Sequence, residues 1–173
     1  GFDNTSTTFE GIISGSGGLY KHGTGTMTLA GFNEYSGDTL VQEGTLMING
    51  DQPQSDVYVY PAATLTGNGW VGALSIDGTL NPGNPLGPLR AESVNFLPGS
   101  TMIERIEARP QPGAFTPYGN NWFQSYSGPV DVTGAALDIS LGFPPSAGQE
   151  FKIGTALGVL PPTGTFVGNQ IVA

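Results

Sequence analysis

The feature that most constrains the fold of this chain is a short segment of alternating apolar and polar residues that recurs along it. Three successive copies, at Met27, Leu46 and Leu65, are equally spaced. The next step, to Leu80, is shorter, and the one after it, to Met102, is longer. Because successive side chains of a strand point to opposite faces, an apolar period of two predicts a half-buried β-strand at each copy.

A second series of apolar residues runs just ahead of the first, with a glycine in the gap between the two. The pairs are Leu40 with Leu46, Leu74 with Leu80, and Val94 with Met102, and the glycines are Gly44, Gly78 and Gly99. Each unit therefore predicts a strand, a bend that favours positive φ, and a second strand. One coil of a β-solenoid requires this arrangement, since each coil buries one face and pairs its backbone with the coils above and below.

The pattern predicts an all-β chain that forms a single β-solenoid domain over residues 1–173, with coils of about 19 residues. A β-sandwich is the alternative, because the spacing of the turns also suits a hairpin meander. A helical fold is excluded, since the 28 glycines and 14 prolines cost roughly 1 and 3 kcal/mol per residue relative to alanine in a helix. The predicted core of the repeat is Leu29, Leu40, Leu46, Ile48, Leu65, Leu74, Leu80, Met102, Leu137 and Ile139.

The charge of the chain excludes several classes of partner. Five basic and 14 acidic residues give a formal net charge of −9, which repels nucleic-acid phosphates and anionic lipid. The chain has no cysteine, so it has no disulfides, thiolate metal sites or thiol nucleophiles. No apolar run approaches the length that crosses a bilayer. We therefore expect no nucleic-acid partner and no membrane insertion by this chain.

The segment "FEGIISGSGGLYKHGTGTMTLAGFNEYSGDTLVQEGTLMING", residues 9–50, resembles the autotransporter-associated β-strand repeat. The positions that match the family pattern are Gly11, Ile13, Gly15, Gly17, Gly18, Leu19, Lys21, Gly23, Gly25, Thr26, Leu29, Gly31, Asn33, Tyr35, Gly37 and Thr39. Met27 replaces a leucine of the pattern and His22 a small polar residue. The resemblance continues more loosely over residues 67–103 and 128–168.

The resemblance implies a right-handed parallel β-helix at the surface of bacteria with an outer membrane, often as the passenger of a secreted precursor. It thus implies an extracellular or cell-surface location after export through the outer membrane. The repeat has no catalytic residues and no cofactor to carry over. Residues 104–127 match little of the family pattern, and we expect an irregular, aromatic-rich insertion there. Residues 1–8, "GFDNTSTT", are expected to form an extended N-terminal arm.

Two sets of residues are candidates for catalysis. His22 is the sole histidine, so it cannot form a site with a second one, and its glycine-rich surroundings favour an exposed turn. Glu104 and Glu107 are the best carboxylate pair for hydrolysis of a glycoside, which needs two carboxyl groups in one groove. Positions 104 and 107 lie on opposite faces of a strand, which favours a charged strand edge instead.

Calcium is the metal for which the chain has suitable ligand types, because acidic and amide oxygens occur in its turns. The nine-residue repeat typical of calcium-binding β-helices is absent, so we expect no bound metal. The residues concerned are Asp3, Asn4, Asp51 and Asp56.

Aromatic residues are concentrated in "PYGNNWFQSYSG", residues 117–128, where Tyr118, Trp122, Phe123 and Tyr126 occur. Aromatic side chains on loops bind sugars or neighbouring subunits. The interpretation that we favour over binding is that they fill an irregular coil or cover the end of the solenoid.

These observations leave three functional hypotheses. The favoured one is a non-catalytic structural element, a surface stalk or fibre subunit that associates head to tail with other copies through its open strand edges. The second is an adhesin that binds a glycan or a host surface through residues 117–126. The third, an enzyme acting on polysaccharides, rests on fold analogy alone.

Overall fold

The computed structural model describes residues 4–83, 87–106, 121–144, 154–157, 163–165 and 167–172. Within these ranges the chain forms strands and turns, and it contains no helix long and apolar enough to span a membrane. The strands are β1 (Thr7–Phe9), β2 (Ser14–Gly15), β3 (Leu19–Lys21), β4 (Thr26–Leu29), β5 (Glu34–Tyr35), β6 (Thr39–Val41), β7 (Gly44–Ile48), β8 (Asp51–Gln52), β9 (Val57–Val59), β10 (Ala63–Gly67), β11 (Trp70–Val71), β12 (Leu74–Ile76), β13 (Thr79–Pro82), β14 (Gly87–Ala91), β15 (Val94–Phe96), β16 (Thr101–Ile106), β17 (Asn121–Ser125), β18 (Val130–Asp131), β19 (Ala136–Leu141), β20 (Gly154–Ala156) and β21 (Val167–Val172).

The strands form three principal sheets, which the chain visits in a fixed order. The first sheet has eight strands in the order β1-β4-β7-β10-β13-β16-β19-β21, the second has five in the order β20-β17-β14-β11-β8, and the third has six in the order β18-β15-β12-β9-β6-β3. In the first two coils, the short paired strands β2 and β5 follow a strand of the first sheet and precede a strand of the third sheet. In later coils, a strand of the second sheet occupies this position in the chain. One coil is therefore a triplet of strands such as β7, β8 and β9.

Every pair of neighbouring strands in these sheets is parallel, and each strand that is not at a sheet edge pairs with its counterparts in the coils before and after it. Parallel strands cannot be joined by tight hairpins, so the chain has to travel round the other sheets before it returns. Such crossovers are right-handed in almost all proteins. The fold is a right-handed parallel β-helix. This confirms the predicted fold class and excludes the β-sandwich, whose strands pair antiparallel.

The register of the first sheet reproduces the apolar series found in the sequence. The partners in successive strands are Met27, Leu46, Leu65, Leu80, Met102 and Leu137. Coils of unequal length thus bring equivalent residues into line, because the turns between strands absorb the insertions. The inward side chains of neighbouring coils stack, and together they form the core.

Most of the expected core positions are buried. Those with 0 or 1% exposure are Leu29, Leu46, Ile48, Leu65, Leu74, Leu80 and Met102. Leu137 is 6% exposed, and Ile139 is partly buried and packs against the core.

Leu40 differs from this group, and the prediction that it belongs to the core is wrong. Its strand β6 alternates so that Thr39 and Val41 face inward and Leu40 faces outward. In the register of the third sheet, the residue equivalent to Leu74 is Thr39. A shift of one residue moves a side chain to the opposite face of a sheet. At β6, the apolar residue that continues the sequence pattern therefore lies one position after the residue that faces the core.

The three glycines predicted at the bends serve two different purposes. Gly44 and Gly99 have φ of +67° and +95°, a region that side chains rarely adopt. Gly78 has no such φ, but a Cβ there would contact the carbonyl oxygens of Tyr60 and Ala63. At this bend a glycine is required because two coils approach closely.

The described part of the N-terminal segment lies against the next coil. The side chain of Asn4 accepts a hydrogen bond from the Thr24 N–H at 2.9 Å, and that of Ser6 accepts one from the Thr26 N–H at 3.1 Å. Residues 4–8 are thus joined to the β-helix, and the last two of them already belong to β1. In the segment 104–127, β16 extends to Ile106 and β17 begins at Asn121, and residues 107–120 lie outside the described ranges.

We expect Leu46→Ala to lower the free energy of unfolding by about 2–5 kcal/mol, because it opens a cavity in the stacked core. Leu40→Ala makes the same chemical change on the outer face and should cost less than about 1 kcal/mol. Urea denaturation followed by circular dichroism measures both. Equal losses in the two variants would contradict the observed register.

Candidate functional site

Lys21, one of the positions that match the repeat, is buried with 2% of its surface exposed. Its ammonium donates hydrogen bonds to the carbonyl oxygens of Gly23, Glu43 and His22 at 2.6, 3.0 and 3.1 Å. All three N–H donors of the group are therefore used. Burial lowers the pKa of Lys21, and the nearby Glu43 carboxylate opposes this shift. Lys21 binds the turn of its own coil to the turn of the next coil.

Asn33, a second repeat position, also connects two coils from a buried site. Its side-chain oxygen accepts a hydrogen bond from the Ile13 N–H at 2.9 Å, and its amide nitrogen donates one to the Gly31 carbonyl at 3.1 Å. Only 1% of its surface is exposed. The amide replaces main-chain partners that the turn cannot provide, which accounts for an asparagine at this position.

A hydrogen-bonded group of four polar side chains lies inside the same region. The Tyr35 hydroxyl lies 2.6 Å from the Thr39 hydroxyl, which in turn lies 2.8 Å from that of Ser55. Gln52 donates to the Thr39 hydroxyl at 3.3 Å, and Ser55 donates to the Gly37 carbonyl at 2.9 Å. Burial raises the pKa of the Tyr35 phenol, and its hydrogen bonds oppose that shift. This network explains why Thr39 occupies an interior position that the other coils fill with apolar residues.

Three of the four residues considered as calcium ligands lie in the described ranges, and each of these three has another partner. The side chain of Asn4 bonds Thr24, Asp51 forms a salt bridge with Arg90 at 3.6 Å, and an oxygen of Asp56 accepts the Ala73 N–H at 2.8 Å. Asp3 lies outside the described ranges. Within those ranges, no group of three or more His, Cys, Asp or Glu residues could hold a metal ion. His22 is half-buried in the turn beside Lys21.

Glu104 is fully buried, with 0% exposure, and points into the interior from β16 beside its register partner Ile139. Neither carboxyl oxygen has a hydrogen-bond partner within the described part of the chain. Burial raises the pKa of Glu104 to about 9, so the group is protonated at neutral pH. A carboxyl group that no solvent reaches cannot contact a substrate. Glu107 lies outside the described ranges, so the pair considered for hydrolysis is not formed by described residues.

Of the four aromatic candidates in the segment 117–128, the two with described side chains lie in different environments. Phe123 is 4% exposed and packs against Phe96, with the ring centroids 5.9 Å apart, so it belongs to the core. Tyr126 is 38% exposed and stacks on Trp70 at 5.2 Å on the outside of the β-helix. Trp122 lies in β17, where its side chain is not among those described, and Tyr118 lies outside the described ranges.

A second aromatic surface lies on the outside of the third sheet and was not predicted from the sequence. Tyr58, Tyr60 and Leu97 line a shallow depression of about 190 Å³, together with Ser75, Asp77 and Val59. The signal for it is "VYVY", residues 57–60, in which valine and tyrosine alternate. The valines of such a strand face the core, so its tyrosines face solvent.

Parts of this chain are similar to known proteins. The family described as the passenger-associated-transport-repeat matches residues 19–48. An extracellular serine protease of Serratia marcescens is 48% identical over 79 residues, which are 44% of this chain and 8% of that protein. The adhesin BmaC autotransporter of Brucella suis biovar 1 (strain 1330) is 40% identical over 87 residues, 47% of this chain and 2% of the adhesin.

A third relative is the neisserial autotransporter lipoprotein NalP of Neisseria meningitidis, 36% identical over 80 residues, which are 45% of this chain and 7% of the lipoprotein. The matched part of the chain spans less than a tenth of the length of each of these three relatives. The matched repeat covers β3 to β7, the region of the buried Lys21, Asn33 and Tyr35. The chain thus contains an autotransporter passenger-type repeat, and its location is extracellular or at the bacterial cell surface.

The raised pKa of Glu104 predicts a dependence of stability on pH. Between the ordinary value of 4.5 and the folded value of about 9, the unfolded chain releases a proton that the folded chain keeps. The free energy of unfolding should therefore fall as pH rises through this window, by up to about 1.4 kcal/mol per pH unit. Glu104→Gln, which resembles the protonated acid, should match the wild type near pH 4.5 and exceed its stability at pH 8.

Urea denaturation at a series of pH values measures this difference, with the exposed Glu34→Gln as the matched control. In the control, the difference in the free energy of unfolding between pH 5 and pH 8 should be nearly the same as in the wild type. If the free energy of unfolding of Glu104→Gln falls with pH as steeply as that of the wild type, ionisation of Glu104 is not the cause of the pH dependence. The assignment of a raised pKa to Glu104 is then wrong.

Proposed function

We propose that this chain is a rigid, non-catalytic segment of an extracellular surface protein, a stalk that holds other parts at a fixed distance. The observation that carries the proposal is the eight-stranded parallel first sheet, whose register is continuous from β1 to β19 and shifts only at the last pair, β19 with β21. With neighbouring strands about 4.8 Å apart, its seven steps span about 34 Å. Main-chain hydrogen bonds and a stacked core resist bending along this axis.

The chemistry of the repeat supports a structural role. The polar groups at the matched positions of the repeat, the Lys21 ammonium and the Asn33 amide, bond main-chain atoms and are buried. A catalytic group has to reach a substrate, and these groups do not. The similarity to an extracellular serine protease covers 8% of that enzyme. We propose that the shared part is a structural segment of both proteins.

Rigidity is tested with pairs of spin labels, which the absence of cysteine makes simple to attach. Thr8→Cys and Asp138→Cys are exposed positions on β1 and β19, six strand steps apart in the first sheet. Pulsed electron resonance should give one narrow distance, with backbones about 29 Å apart. The pair Thr28→Cys with Asp138→Cys is one step shorter and should read about 5 Å less.

A broad or bimodal distance distribution would contradict a rigid stalk. Hydrolysis of casein or of a polysaccharide by the purified chain would contradict the non-catalytic assignment, and would leave the measured rigidity unaffected. The two parts of the proposal therefore fail separately.

We further propose that the chain associates with itself head to tail. Strand β1 pairs with β4 on one side, and all three of its residues are exposed. An edge strand with an open row of N–H and C=O groups is a template for another strand. Contact between unlike ends gives an open filament instead of a closed dimer.

Sedimentation velocity at increasing protein concentration tests this association. We expect the wild type to form species of increasing size. Thr8→Pro removes an N–H donor from the edge and should shift the protein toward monomer. A wild type that remains monomeric at the highest concentration would contradict the proposal.

A further inference from the structure

The depression on the outside of the third sheet is formed by three successive coils. Tyr58 and Tyr60 come from β9 and the residue after it, Ser75 and Asp77 from β12 and the residue after it, and Leu97 follows β15. Tyr58 pairs with Ser75 in the register of the sheet. The Asp77 N–H donates to the Val59 carbonyl at 2.8 Å, and the Leu97 N–H donates to that of Ile76 at 2.7 Å.

These side chains stand on a preformed surface. The strands that carry them alternate, so that Val57, Val59 and Ile76 fill the core while the residues between them face outward. The main-chain hydrogen bonds between coils fix the spacing of the outward side chains. A preformed site avoids much of the cost of ordering loops and side chains on binding. The tyrosines nevertheless remain open, with 41% and 42% exposure.

The charge of the depression favours a cation. Two tyrosines and Asp77 line the same depression, and the chain carries a net charge of −9. The faces of aromatic rings attract cations by about 0.5–1 kcal/mol at exposed sites. Within the described residues, the cations lie elsewhere: Lys21 is buried inside, Arg90 pairs with Asp51 on the second sheet, and Arg105 is in β16 of the first sheet.

The size and lining of the depression narrow the choice of cation. A calcium ion takes six to eight oxygen ligands, and the lining supplies a single carboxylate. Its volume of about 190 Å³ is below the range of about 300–1,000 Å³ for drug-sized ligands, so a compact group fits. A sugar presents several hydroxyl groups that need partners, whereas a methylated ammonium donates no hydrogen bond and suits walls of tyrosine and leucine.

We propose that this depression binds a trimethylammonium group of the kind that choline carries, displayed on a surface outside the cell. The methyl groups lie against Tyr58, Tyr60 and Leu97, and the Asp77 carboxylate balances the positive charge. This binding is additional to the stalk function, because a rigid spacer requires no ligand.

Titration with choline chloride, monitored by amide chemical shifts at constant ionic strength, tests the proposal. We expect saturable shifts at Tyr58, Tyr60 and Leu97, with a dissociation constant on the order of 1 mM. The matched ligand is 3,3-dimethylbutan-1-ol, which has the shape of choline without its charge. It should bind about three- to thirtyfold more weakly, because it lacks the attraction to the rings and to the carboxylate.

Variants locate the site. Tyr58→Leu, Tyr60→Leu and Asp77→Asn should each weaken choline binding by about two- to fivefold. Tyr20→Leu is the control, since Tyr20 is 62% exposed on the same sheet and does not line the depression. It should bind choline as the wild type does. Circular dichroism spectra of all four variants should superimpose, because the altered side chains lie outside the core.

Three results would overturn the proposal: no saturable shift with choline, equal affinity for choline and the neutral alcohol, or unchanged choline binding in Asp77→Asn. If a neutral oligosaccharide shifts the same residues and choline does not, the depression is a sugar site and the assigned ligand is wrong. None of these outcomes alters the distances between spin labels, so this inference and the stalk function fail independently.

Discussion

The main-chain ladder between coils is the constraint on which the rest of this structure depends. Within each sheet, a strand bonds in parallel to the equivalent strands of the neighbouring coils, so the position of one coil sets the position of the next. Inward residues then stack at the spacing of the strands, and the apolar columns of the core follow. The outward residues are set by the same ladder. Both the core and the external tyrosine surface are consequences of one repeated backbone arrangement.

The turns raise a different problem, because a main chain that changes direction leaves carbonyl and N–H groups without partners. In this chain, buried side chains provide the missing hydrogen-bond partners. Lys21 holds three carbonyl oxygens and Asn33 holds one N–H and one carbonyl. Both are positions at which the sequence resembles the passenger repeat. The side chains of Lys21 and Asn33 are therefore buried parts of the scaffold.

The sequence predicted the first sheet down to its register, because long apolar side chains mark its inward positions at Met27, Leu46, Leu65, Leu80 and Met102. The prediction was wrong at Leu40, where the interior position belongs to Thr39. Apolarity alone could not identify a threonine that is buried because it bonds Tyr35 and Ser55. Partners of that kind are distant in the chain, and only the folded coils bring them together.

The candidate surfaces were predicted less well for the same reason. Residues 117–128 form one aromatic cluster in the sequence, but Phe123 faces the core while Tyr126 stacks on Trp70, a residue from a much earlier part of the chain. The alternation "VYVY" does reveal outward tyrosines. Their assembly with Asp77 and Leu97 depends on how three coils align.

The steps between equivalent residues of the first sheet are very unequal. The step from Leu65 to Leu80 is less than half as long as the step from Met102 to Leu137. Strand pairing is preserved across this whole range, so added chain is accommodated outside the ladder. A flexible loop costs little more free energy as it lengthens. Such a molecule offers permissive sites at its corners, where a foreign epitope or a small domain can be grafted and displayed without disturbing the rod that supports it.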